Sequence, residues 1–143
     1  MKRIVIDASV ALKWFLFDEE HTQAALDLLE RFTFHGMQIV APFLLEYEVL
    51  NGLLIAGKKG RIEQDKMMMA VEGFLGLEIE KKDISSTYQG VLHFSDIYDL
   101  TAYDSSYLSL AAEEGIELIT ADERMYKKVK KDLKWVRRLG DLK

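Results

Sequence analysis

Short unbroken apolar runs alternate along this chain with longer stretches in which apolar residues recur every three or four positions. The first kind predicts buried strands and the second amphipathic helices. Lys2 to Asp7 reads as a strand apolar on both faces, the pattern of a parallel central strand. Ala8 to Phe17 continues as a short helix. His21 to Phe34 carries Ala24, Ala25, Leu28, Leu29 and Phe32 as a helical stripe that Gly36 ends. "MQIVA" is a second strand, and Pro42 suits the first turn of a helix running to about Ala56. Arg61 to Phe74 is helical, followed by the strand "LEIE". Asp83 to Phe94 and Leu100 to Glu114 are helices, "IELIT" a strand, Asp122 to Lys131 a helix, and "KWVRRL" a last edge strand.

Strands that alternate with helices imply a parallel sheet covered on both faces, so the fold class is α/β. In such sheets ligands bind outside the carboxyl ends of the strands. No linker, repeat or low-complexity segment interrupts residues 1–143, which fits a single domain. The composition, 49% hydrophobic and 30% charged, is that of a soluble globular protein. No apolar run reaches the roughly 18 to 20 residues of a membrane span. The first apolar run is too short for a signal-peptide core, so a cytoplasmic protein is expected. With 0 cysteines, disulfides, thiolate metal sites and cysteine nucleophiles are excluded, and 3 scattered histidines argue against a His-rich zinc site.

Against that background the placement of acids is informative. Asp7 follows "IVI" and Asp122 follows "ELITA", each at the end of a predicted strand. Asp104 lies in the first turn of the helix that leads into the second of these strands. Glu46 and Glu48 lie early in the helix "APFLLEYEVLNGLL", which is apolar almost all round and therefore largely buried. Periodicity does not separate these two, although Glu48 shares a more polar strip with Asn51 and Gly52. Each acid also has a purely structural reading: Asp7 and Asp122 suit helix N-caps, and Thr101 with Asp104 has capping-box spacing, as does Thr120 with Glu123. Capping and cation binding are compatible. Carboxylates gathered at one sheet edge repel unless a cation joins them, and a hard divalent ion prefers oxygen ligands. Such an ion suits phosphodiester hydrolysis. Rival folds with an acid after the first strand fit worse. The dehalogenase-like phosphatases need a second Asp where Ser9 stands, and "DASVALK" lacks the glycines of dinucleotide and P-loop turns.

The four stretches "VIDASVALKW", "APFLLEYEVLNGLL", "LTAYDSSYLSLA" and "LITADERM" together resemble the PIN-domain family, and more narrowly the VapC-type toxins of type II toxin–antitoxin pairs. The resemblance implies a three-layer α/β/α sandwich with a mostly parallel sheet and a divalent-metal-dependent endoribonuclease. The family's acids fall on Asp7, Glu48, Asp104 and Asp122, which would be both catalytic and ligands for Mg²⁺ or Mn²⁺. Ser9 and Thr120 match polar positions that support the acids, and Asp96 and Asp99 lie outside the pattern. The resemblance also implies an RNA substrate, a small antitoxin partner and a homodimer. A PIN-like RNA-processing nuclease outside such a pair, or a non-catalytic RNA- or protein-binding domain, are the rival readings.

Charge then suggests where RNA would lie. The chain carries a net −5 overall, but from Arg124 to Lys143 nine Lys and Arg face two Asp; this +7 leaves −12 on the first 123 residues. The Lys127 to Arg138 cluster, and Lys58, Lys59 and Arg61 in "GKKGR", are candidates to hold the RNA backbone, with a solvated helix face as the alternative. Lys13 reads equally as a phosphate ligand or a surface lysine. "MMMAVEGFLGL", from Met67 to Leu77, is either core packing or an adaptable contact surface.

Overall fold

A computed structural model describes residues 2–143. Five strands form one fully parallel sheet: β1 (Arg3–Ile6), β2 (Gln38–Pro42), β3 (Glu80–Lys82), β4 (Glu117–Thr120) and β5 (Val136–Arg138), in spatial order β3-β2-β1-β4-β5. Seven helices connect them among the described residues: α1 (Ala8–Ala11), α2 (Thr22–Phe34), α3 (Leu44–Lys58), α4 (Gln64–Leu75), α5 (Tyr88–Tyr98), α6 (Ala102–Glu114) and α7 (Glu123–Val129). The architecture is the three-layer α/β/α sandwich. From β1 the chain steps outward to β2 and β3, then returns across the sheet to β4 and β5. Right-handed crossovers therefore place α1–α4 on one face and α5–α7 on the other.

The core is built where sequence hydrophobicity is continuous. Ile4, Val5 and Ile6, Ile39, Val40 and Ala41, and Leu118 and Ile119 are all buried between the helical layers. Val5 pairs with Val40 on one side and with Leu118 on the other. No helix among the described residues is long and apolar enough to cross a membrane.

Several expected boundaries move. Pro42 belongs to the end of β2 rather than to a helix. Pro has no N–H to give, but here the ladder continues one residue on, through the Phe43 N–H to the Lys82 carbonyl at 3.1 Å. The strand expected at "LEIE" shifts to Glu80–Lys82, an edge strand with two exposed residues, which apolar patterning does not mark. The helix expected from Asp83 begins only at Tyr88, because Asp83 caps a short 3₁₀ turn through the Ser85 N–H. The helix after Asp7 ends at Ala11 and tightens into a 3₁₀ turn over Leu12–Trp14. α3 is less buried than its composition implies. Leu45, Val49, Leu53 and Ala56 face the core, while Tyr47 is 75% and Leu54 51% exposed. The methionine segment divides likewise: Ala70 and Phe74 pack inward, whereas Met68 and Met69 face solvent.

Candidate active site

Asp7 leaves β1 directly opposite Thr120 at the end of β4, since Ile6 pairs with Ile119. From this point the chain departs into α1 on one face and α7 on the other. That divergence opens a crevice over the strand ends, the place where open parallel sheets bind ligands. Asp7 is 7% exposed and stands at the N-cap of α1, but its side chain makes no capping bond. Both carboxylate oxygens are engaged elsewhere: Ser9 Oγ donates to Oδ1 and Thr120 Oγ1 donates to Oδ2. These hydroxyls are themselves aimed. The Ala121 N–H donates to Ser9 Oγ at 2.8 Å and the Asp122 N–H to Thr120 Oγ1 at 3.0 Å. Each hydroxyl oxygen thus receives a backbone proton and directs its own proton at Asp7. Burial pushes the Asp7 carboxyl up to about 6 despite the two hydroxyl donors, and the charge of Asp122 adds to the rise.

The other acids reach the same crevice from three helices. Asp122 caps α7 by accepting from the Met125 N–H at 3.1 Å through Oδ1. Asp104 does not cap: Thr101 is the cap of α6 and accepts the Asp104 N–H at 3.1 Å, leaving the Asp104 carboxylate with no donor among the described residues. Burial raises the Asp104 carboxyl, Asp122 raises it further, and Arg124 and Lys128 oppose the rise. Glu48 projects from α3 and accepts a hydrogen bond from the Tyr107 hydroxyl of α6. Burial again raises its carboxyl, with the Asp104 charge contributing. The mutual repulsion of Asp7 with Asp122, Asp122 with Asp104, and Asp104 with Glu48 links all four in one field. Glu46, indistinguishable from Glu48 by periodicity, points away to Lys81 of β3 at 3.7 Å.

Among the described residues no three Asp, Glu or His side chains are already gathered tightly enough to form a coordination set. The donor set nevertheless fits a hard cation. All four are carboxylates, burial and like charge hold three of them in strained ionisation, and Mg²⁺ takes only one or two carboxylates while keeping several waters.

The candidates outside the acids fare differently. Lys13 is not a surface lysine; it is buried and paired with Glu19 at 3.2 Å. Arg61 is clasped by Asp18 at 2.8 Å and Glu19 at 2.9 Å. Asp96 lies within α5, and Asp99 is its C-cap in the left-handed region at φ 53°. A cleft of about 690 Å³ lined by Trp14, Phe15, Phe17, Arg61 and Met69 contains none of the four acids. Sequence reasoning missed Tyr107, although its position three residues after Asp104 puts it on the same face of α6.

The sequence and the fold have known counterparts. The family described as PIN domain matches residues 4–131. The chain belongs to the PIN-domain family. It is similar to Ribonuclease VapC9 of Mycobacterium tuberculosis (strain H37Rv), with 32% identity over 126 residues, covering 85% of this chain and 87% of that protein. Among solved structures, this PIN domain resembles PAE2754 from Pyrobaculum aerophilum with a TM-score of 0.70 at 21% identity, covering 97% of this chain and 85% of that one. VapBC2 from Rickettsia felis, bound to a DNA fragment from its promoter, gives 0.64 at 13% identity, covering 95% and 96%. At such identities the structural likenesses establish the shared fold.

Proposed function

We propose that residues 1–143 form one domain acting in the cytoplasm as a divalent-metal-dependent endoribonuclease, the toxin of a type II toxin–antitoxin pair. The observation that carries this reading is Asp7: a buried carboxylate at the exit of the central strand, oriented by two hydroxyls and within the field of Asp122. Its burial destabilises its ionised form. The ribonuclease relative and the PIN fold support RNA as the substrate. The Rickettsia felis VapBC2 structure, with the exposed Met68 and Met69 of α4, supports a small antitoxin and a second copy of the chain as partners.

Asp7, Glu48, Asp104 and Asp122 would hold Mg²⁺ or Mn²⁺. When bound, the ion supplies positive charge against the phosphate and a water of lowered pKa. The protein's own part is orientation. Ser9 and Thr120 fix both oxygens of Asp7, and Tyr107 fixes Glu48. Asp104 and the second oxygen of Asp122 have no donor among the described residues, which leaves them free to orient a water for in-line attack on phosphorus.

The test is cleavage of a structured RNA with Mg²⁺, Mn²⁺ or EDTA, beside Asp7→Asn and Asp104→Asn. Cleavage that needs the ion and vanishes in both variants is expected. Cleavage persisting in both variants refutes the assigned site. Growth arrest on expression, relieved by a small protein encoded directly upstream, would separate the toxin from an RNA-processing nuclease.

A further inference from the structure

An acidic crevice in an acidic body repels RNA, so cations have to stand at its rim for a polyanion to enter. The structure sorts the basic residues that the sequence merely clusters. Arg61 is taken by Asp18 and Glu19. Arg137 pairs with Glu117 at 3.2 Å, and Arg138 with Glu123 at 3.1 Å and Asp141 at 3.2 Å. These arginines already have anionic partners and would have to give them up to grip a phosphate.

Arg124 and Lys128 are different. They lie four residues apart on α7 and therefore share one side of it. Met125 and Val129, also four apart, occupy the buried side. Lys128 Nζ donates to the Asp99 carbonyl at 2.7 Å, which pins this row to the α5–α6 connection. That connection leads directly into Thr101 and Asp104. Arg124 stands two residues after Asp122, the cap of the same helix and another of the four acids. Yet Arg124 is exposed and, among the described residues, forms no ion pair. A fixed lysine and a free arginine thus stand on the Asp104 side of the crevice, with exposed Lys127 and Lys131 behind them.

We propose that Arg124 and Lys128 form a phosphate clamp for the RNA backbone at the Asp104 rim of the acidic crevice. The clamp rests on the ribonuclease reading above. Arg124 supplies the planar, bidentate grip suited to a phosphodiester. Lys128 supplies a positioned point charge one helical turn away.

The test follows cleavage of a single-stranded RNA by the full chain with Mg²⁺ across a salt series, with binding of the same RNA in EDTA read by fluorescence anisotropy. Arg124→Ala should weaken binding severalfold, raise KM more than it lowers kcat, and flatten the salt dependence by about 0.7 in log–log slope, one single-strand phosphate contact. Arg124→Lys should keep most of the slope, and Arg61→Ala and Arg138→Ala should match the wild type. An Arg124→Ala protein with the wild-type slope overturns the clamp, as does a fall in kcat with binding unchanged, which would leave Arg124 acting only through Asp104. A wild type that neither binds nor cleaves any RNA overturns instead the reading on which the clamp rests.

Discussion

Replacing Asp7 by Asn removes the charge that the fold least accommodates, and should stabilise the metal-free protein at neutral pH. The carboxyl sits at about 6 in the native state against 3.8 for the ordinary group. The native state therefore holds a proton over a range in which the unfolded chain has released it. Unfolding free energy falls as pH rises wherever the native state binds more protons. The contribution of Asp7 is thus present below about pH 4 and lost progressively up to about pH 6. A shift of about 2 units corresponds to about 3 kcal/mol at about 1.4 kcal/mol per unit. Asn has no such titration. Its amide fits the two donating hydroxyls less well, because Ser9 and Thr120 both aim protons at this side chain, but that penalty is nearly independent of pH. The clean observable is the stability gap between variant and wild type, measured by urea denaturation in EDTA from pH 3.5 to 7.5. It should widen by about 3 kcal/mol in favour of Asn, equivalent to a Tm advantage growing by about 6–10 °C for a chain of this size. Saturating Mg²⁺ should narrow the gap, because a cation favours the ionised carboxylate. A gap that stays flat with pH, or one that widens in favour of the wild type, refutes the argument that burial strains this group.

Three further perturbations probe the surroundings of the site. Tyr107→Phe removes the hydroxyl that holds Glu48; a hydrogen bond to a charged group contributes about 1.5–3 kcal/mol, and half-buried Glu48 can partly rehydrate, so a loss near 1.5 kcal/mol in urea denaturation is expected, and no loss would show the bond to be incidental. Gly90→Ala places a Cβ 3.2 Å from the Ser109 Cβ and into its hydroxyl, which donates to the Thr87 carbonyl at 2.7 Å; overpacking α5 against α6 should cost about 1–3 kcal/mol, and an unchanged Tm would mean the two helices separate freely. Gly73→Ala has open space around its new methyl group and lies inside α4, so it should gain about 0.5–1 kcal/mol from helix propensity; a loss would indicate a contact on that face.

The layered fold was legible because β1, β2 and β4 are buried on both faces, and a central parallel strand has to be apolar throughout. β3 was displaced in the reading because Glu80, Lys81 and Lys82 lie at the sheet edge, where backbone pairing with β2 decides the conformation and Glu80 and Lys82 face water. Pro42 was misassigned for a related reason: its fixed φ suits a helix start as well as a strand end, and only the neighbouring β3 selects between them. The acids were legible as types at strand ends and helix starts. The choice of Glu48 over Glu46 by sequence leaned on the polar strip it shares with Asn51 and Gly52 and was settled by the resemblance.

The chain's own pattern of apolar runs, helical stripes and caps is local, so it specified the α/β alternation and put Asp7 and Asp122 at strand ends. Which strands lie side by side is not local. The return of the chain from β3 across the sheet makes β4 the neighbour of β1, and that single crossover sets Thr120 against Asp7 from 113 residues away. The same packing sends Glu46 to Lys81, Arg61 to Asp18 and Arg138 to Glu123, while leaving Arg124 unpaired among the described residues beside Asp104. Charges interact through space rather than along the chain, so only the tertiary structure could say which acids share a field and which cations are left without an anionic partner.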